Sequence, residues 1–147
     1  DYTREQLLSC VENLRVAIPH VALTADLICG FPGETEADFQ DTVSFLETAR
    51  LLHAHIFPYS EREGTRAALF ENQVPVELRR SRALALGEVA LRVHQAEFER
   101  ILPMEREILV ERFRGGNALG HSEHFLELSL PRATGDAVGG MKTITKE

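Results

Sequence analysis

The chain has 147 residues, 44% of them hydrophobic and 27% charged, which is the balance of a folded globular protein holding one ordinary domain or two small ones. Its net charge of −7 argues against nonspecific affinity for polyanions by the molecule as a whole, and it contains no apolar run of the length a membrane span needs. Only Cys10 and Cys29 are present, too few for a disulfide framework and without the spacing of a zinc or iron–sulfur site. Both cysteines are read as buried small apolar residues. The start, Asp1-Tyr2-Thr3-Arg4, lacks the features of a signal peptide and is not a methionine. A cytoplasmic protein is therefore expected, with this chain a piece of a longer one.

Thr3 with Gln6 makes a capping box, and Leu7, Val11, Leu14 and Ile18 recur at helical spacing, predicting an amphipathic helix over 3–18 that Pro19 ends. A strand is predicted over Val21 to Cys29. The turn Gly30-Phe31-Pro32-Gly33 follows, and Thr35 then caps a helix with Phe39, Val43 and Leu46 on one face and Glu36, Asp38 and Asp41 in its early turns. Residues 53–59 read as the next strand and 60–73 as a loop. Pro75 starts a helix running to about Leu102. This α-β-α-β-α order implies parallel strands. Two such strands are only part of a sheet, so an unpaired edge on the first predicts dimerisation or aggregation of the chain.

The pattern changes near Pro103. Residues 106–113 alternate, Gly115-Gly116 gives a turn, and Phe125 to Leu130 places Leu126, Leu128 and Leu130 on one strand face. Turns at Pro131, Gly135 and Gly139-Gly140 precede a last candidate strand, Met141 to Lys146. A small antiparallel β-barrel is expected, which makes the domains 1–102, α/β, and 103–147, all-β.

The corner at residues 27–35 stands where α/β sheets bind small molecules, although a plain strand-to-helix connection is the other reading. Gly30 and Gly33 allow backbone to come close to a ligand, and Glu34 either caps backbone donors or meets ligand hydroxyls. Tyr59 and Ser60 lie at the end of the next strand, with Arg62 and Arg66 flanking Gly64-Thr65 in the loop beyond, placed for a phosphate or carboxylate or simply solvated. The six histidines give no metal signal; His53 and His55 share one strand face, and His121 and His124 flank a hairpin turn. The basic residues are nearly all arginine, with Lys142 and Lys146 the only lysines. Arg112, Arg114, His121, His124 and Phe125 form a candidate RNA-contacting face by stacking and phosphate contact, in a region of near-balanced charge.

Leu27-Ile28-Cys29-Gly30-Phe31-Pro32-Gly33-Glu34-Thr35 resembles the GFPGET element of radical S-adenosylmethionine methylthiotransferases. His55-Ile56-Phe57-Pro58-Tyr59-Ser60 with Gly64-Thr65-Arg66-Ala67-Ala68 resembles that family's F-x-Y-S-x-R-x-G-T-x-A element. Asn72-Gln73-Val74-Pro75 with Arg79-Arg80 resembles its Q-V-P-x-E-x-x-x-x-R helix start. Against the wider superfamily pattern G-x-I-x-G-x-x-E, Asp26 replaces the first glycine and Glu34 falls one position late. Ile108-Leu109-Val110-Glu111, Gly120 to Leu126 and Val138-Gly139-Gly140 resemble pieces of the same enzymes' TRAM domain.

The resemblance implies the C-terminal portion of a partial (β/α) barrel over 1–102 and an OB-like TRAM barrel over 103–147. It implies S-adenosylmethionine bound against Ile28, Gly30, Gly33, Glu34, Phe57, Tyr59 and Ser60. It also implies two 4Fe-4S clusters in the parent enzyme, whose cysteine ligands are absent from this chain, so that the chain carries no metal ligand or catalytic residue and is expected to be inactive alone. The implied partners are the tRNA anticodon arm and the missing N-terminal part of the same protein, with no membrane. In the implied reaction a deoxyadenosyl radical abstracts a hydrogen so that sulfur is inserted at the carbon. Ile56 to Ser60 looks most like the enzymes that methylthiolate threonylcarbamoyladenosine; isopentenyladenosine, a ribosomal protein, or a noncatalytic binding module are the alternatives.

Overall fold

A computed structural model of the chain describes residues 2–144. Contacts divide the chain into two compact units, Asp1–Glu97 and Phe98–Glu147.

The first unit holds α1 (Arg4–Ala17), β1 (Thr24–Cys29), α2 (Glu36–Ala49), β2 (His53–Pro58) and most of α3 (Val76–Ile101). Local chemistry sets the helix starts. Thr3 and Gln6 close the expected capping box on α1, and Thr35 and Asp38 close a second on α2. The Thr35 backbone N–H and hydroxyl hold the Asp38 carboxyl below the usual carboxylate range. The first strand begins at Thr24, later than the expected Val21, because Val21 N–H still closes a turn on the Ile18 carbonyl. The 60–73 segment is not wholly irregular; Arg66–Leu69 forms a short 3-10 turn.

The strands β1 and β2 pair in parallel, Thr24 opposite His53 through Cys29 opposite Pro58. Val11 of α1, Phe39, Phe45, Leu46 and Ala49 of α2, and Leu86 and Val89 of α3 form one buried cluster. Ala25, Leu27, Ala54 and Ile56 pack against it from the sheet, so all three helices lie against one sheet face. The alternate residues Asp26, Ile28, His55 and Phe57 are exposed. A parallel strand pair covered on one side only is unusual, since such sheets normally bury both faces. Cys10, expected to be buried, is exposed: it precedes Val11 on α1, and the 3.6-residue period turns it away from the cluster.

The second unit is an antiparallel sheet in the order β5-β4-β3-β6, made of β3 (Glu107–Arg114), β4 (Asn117–Ser122), β5 (Glu127–Pro131) and β6 (Met141–Thr143). Ile108, Val110 and Ala118 are its buried centre, with Phe113, Leu128 and Leu130 packed against them. Among the described residues no pairing joins β5 to β6, so the sheet is open where a closed barrel was expected. Residues 145–147, including the Lys146 end of the expected last strand, lie outside the described residues. Leu126 is buried but precedes β5, because Phe125 takes a left-handed φ of 60° that no strand can continue through. A β-bulge at Glu111 shifts the β3–β4 register between Val110 and Arg112. Gly120 lies against this strand so closely that a Cβ there would overlap the Leu109 carbonyl oxygen. Among the described residues no helix is long and apolar enough to cross a membrane.

Candidate functional site

The corner after β1 is built by its own backbone and by two arginines of α3. Gly33 N–H donates to the Asn72 carbonyl at 2.7 Å and Glu34 N–H to the Phe31 carbonyl at 2.9 Å. Both glycines have positive φ, 71° at Gly30 and 89° at Gly33, which the turn requires of a residue without Cβ. Gly30 does more than permit a turn. A Cβ there would lie 2.5 Å from Arg79 Cγ, and its N–H donates to Glu34 Oε2 at 2.9 Å. The close approach that Gly30 allows is thus to the protein's own arginine, and its amide is already used.

Glu34 is held from behind. Arg82 donates to Glu34 Oε1 at 2.7 Å and to its carbonyl at 3.1 Å, and to Glu36 Oε2 at 3.1 Å. The Arg82 and Glu34 side chains are 5% and 10% exposed, a buried charge pair whose remaining hydrogen bonds go to the Gly30 amide, the Glu34 carbonyl and the Glu36 carboxylate. Glu34 thus accepts from a backbone donor, the Gly30 N–H, and from Arg82. Arg79, also buried, ties three segments together. It donates to the Val74 carbonyl at 2.6 Å, the Tyr59 carbonyl at 3.2 Å and Gln73 Oε1 at 3.1 Å, and its guanidinium lies 5.0 Å from the Tyr59 ring. The Cys29 thiol sits beneath, 3.8 Å from the Phe57 carbonyl and 3.9 Å from that of Arg79; burial, and next the Glu34 charge, push its pKa up. Sequence reasoning did not single out Arg79 or Arg82 as site residues. The signal was present, since counting Q-V-P-x-E-x-x-x-x-R from Gln73 ends on Arg82 and not on the Arg79-Arg80 pair.

On the exposed sheet face, Ile28 and Phe57 stand directly opposite each other and are 57% and 50% exposed. They form an apolar shelf at the C-terminal ends of both strands. Phe31 meets Tyr59 edge-on at 5.2 Å and Phe70 at 6.3 Å. The Tyr59 hydroxyl is buried with no hydrogen-bond partner in the structure. Ser60, Arg62 and Arg66 are exposed beyond the strand end. The histidines that alternate on β2 part company: His55 is exposed, whereas His53 lies 4.8 Å from the His94 ring, and burial and then the His94 charge lower its pKa.

In the second unit the five candidate RNA-contacting residues divide. Arg112 pairs with Glu127, His121 with Glu111 at 2.8 Å, and His124 with Glu105 at 2.6 Å. Arg114 is exposed, and Phe125 is 75% exposed with its ring 6.2 Å from that of His121. Beside them a cleft of about 220 Å³ is lined in part by Arg106, Leu109, His121 and Met141. Carboxylates therefore neutralise part of this face, and its free apolar element is Phe125.

No family model matches the chain. It is 42% identical over 130 residues, 88% of its length, to a threonylcarbamoyladenosine tRNA methylthiotransferase of Chlamydia pneumoniae. It is 44% identical over 114 residues, 78% of its length, to a tRNA-2-methylthio-N(6)-dimethylallyladenosine synthase of Thermobifida fusca, and 44% over 110 residues, 75% of its length, to one of Moorella thermoacetica. The chain belongs to the methylthiotransferase family. It spans 31%, 23% and 25% of these three relatives, and so corresponds to a portion of them.

Proposed function

We propose that this chain is the C-terminal part of a radical S-adenosylmethionine methylthiotransferase acting on tRNA in the cytoplasm. In this reading the β1–β2 pair is one wall of a (β/α) barrel and the second unit is its TRAM domain. The observation that carries it is the apolar Ile28–Phe57 shelf on an uncovered sheet face, beside a braced glycine corner at the strand ends. That shelf suits the flat, apolar face of an adenine, with Tyr59 and Ser60 closing the adenosyl side. Gly30, Gly33 and Glu34 act behind the shelf, fixing the corner. Bound there, and given an electron by a cluster held elsewhere in the complete enzyme, S-adenosylmethionine would supply the radical chemistry that precedes carbon–sulfur bond formation.

The residues do not fit an iron–sulfur cluster. Cys10 is exposed on α1, Cys29 is buried under Arg79, and the sequence has no third cysteine. The chain alone should therefore release no deoxyadenosine from S-adenosylmethionine and reductant. For substrate we favour threonylcarbamoyladenosine beside the anticodon, on the Ile56 to Ser60 element and the Chlamydia pneumoniae relative.

The test uses the longer protein that contains this chain, expressed in cells lacking 2-methylthio nucleosides, with tRNA digests read by mass spectrometry. Methylthiolated threonylcarbamoyladenosine is expected, and Ile28→Ser with Phe57→Ala should weaken S-adenosylmethionine binding. Methylthiolated isopentenyladenosine would move the substrate to the alternative. Without any methylthiolated nucleoside or S-adenosylmethionine binding, a noncatalytic module would take the enzyme's place. A gel shift of the anticodon arm by the chain, weakening with salt, tests the TRAM reading separately.

A further inference from the structure

The second unit contains a side-chain cluster that the cofactor reading does not use and that shares only His124 with the RNA reading. Glu105 lies two residues before the start of β3 and is fully buried, at 0% exposure. One of its carboxylate oxygens is 2.6 Å from His124 Nδ1, and the other, Oε2, is buried with no hydrogen-bond partner. Glu123, exposed, is the neighbour of His124 in the turn between β4 and β5. One ligand atom from each of Glu105, Glu123 and His124 can be chosen so that all lie within 4.8 Å of one another. A single imidazole is a small return for a fully buried carboxylate, because an acceptor oxygen withdrawn from water needs a donor or a cation.

We propose that Glu105, Glu123 and His124 bind one divalent cation of the zinc type. Two carboxylate oxygens and one imidazole nitrogen are a borderline N/O donor set, suited to Zn²⁺, and they leave a fourth position to water. The ion would join the entry of β3 to the β4–β5 turn, the turn that carries the left-handed Phe125. Its role is to hold that turn, so its presence is independent of S-adenosylmethionine chemistry.

The experiment titrates the chelator-treated chain with Zn²⁺ against a chromophoric chelator and follows its Tm in parallel. Because the other histidines can also capture zinc, the decisive comparison is with Glu123→Gln, an exposed position where the exchange should not disturb folding. Wild type should bind one Zn²⁺ that raises Tm, and E123Q should weaken that binding by roughly tenfold or more and abolish the rise. His124→Asn should act in the same way. No zinc-dependent rise in Tm, or an E123Q loss smaller than this, overturns the proposal and leaves Glu105–His124 as a hydrogen-bonded pair only.

Discussion

Arg82 is the residue on which the glycine corner depends. Its guanidinium satisfies a carboxylate and a carbonyl of Glu34 that are otherwise withdrawn from water. Arg82→Ala strands that charge, and urea unfolding should show a loss of about 3–5 kcal/mol, whereas Arg80→Ala, at an exposed pair with Glu77, should cost under about 1 kcal/mol. The two cysteines give a second contrast. Iodoacetamide followed by mass spectrometry should modify Cys10 quickly and Cys29 only on unfolding, since the latter thiol is buried and its pKa raised. At this scale the sequence announced Gly30 and Glu34 as important but not what they touch. Spacing can show that a turn needs glycine; that the missing Cβ makes room for Arg79, far along the chain, depends on how α3 packs.

Elements form where local chemistry is explicit, and the capping box of α1 and the Thr35 cap of α2 are readable residue by residue, whereas the closing of a second box by Asp38 is a finding of the structure. The strand β4 was not readable, because Asn117-Ala118-Leu119-Gly120-His121-Ser122 has few strand-favouring residues and is held by partners on both sides. Two glycines make this difference measurable. Gly87, inside α3 with open space around its Cβ position, should gain about 0.5–1 kcal/mol as alanine, while Gly120→Ala should lose about 3 kcal/mol by forcing β3 and β4 apart. The strand β2 carries the pH dependence. Burial holds His53 below its ordinary 6.5, so the unfolded chain binds the proton more readily than the folded one. Its contribution to stability is present above about pH 6.5 and lost as pH falls through the lowered folded value. Chemical denaturation midpoints should therefore fall across that window in the wild type, and His53→Gln should flatten the profile.

The whole molecule is two compact units, Asp1–Glu97 with helices on a parallel strand pair and Phe98–Glu147 with an antiparallel sheet, and their extent depends on contacts the sequence does not display. The sequence implied parallel strands in need of further cover, and the exposed Ile28 and Phe57 are where that need falls. We expect the isolated chain to self-associate, with sedimentation velocity showing concentration-dependent species and Ile28→Ser with Phe57→Ser reducing them; a monodisperse monomer at high concentration would count against it. Whatever settles on that shelf, be it a second copy or the rest of a barrel, removes two large apolar side chains from water. Its arrival should therefore carry a negative heat-capacity change, so the calorimetric enthalpy of association would grow more favourable with every degree of warming.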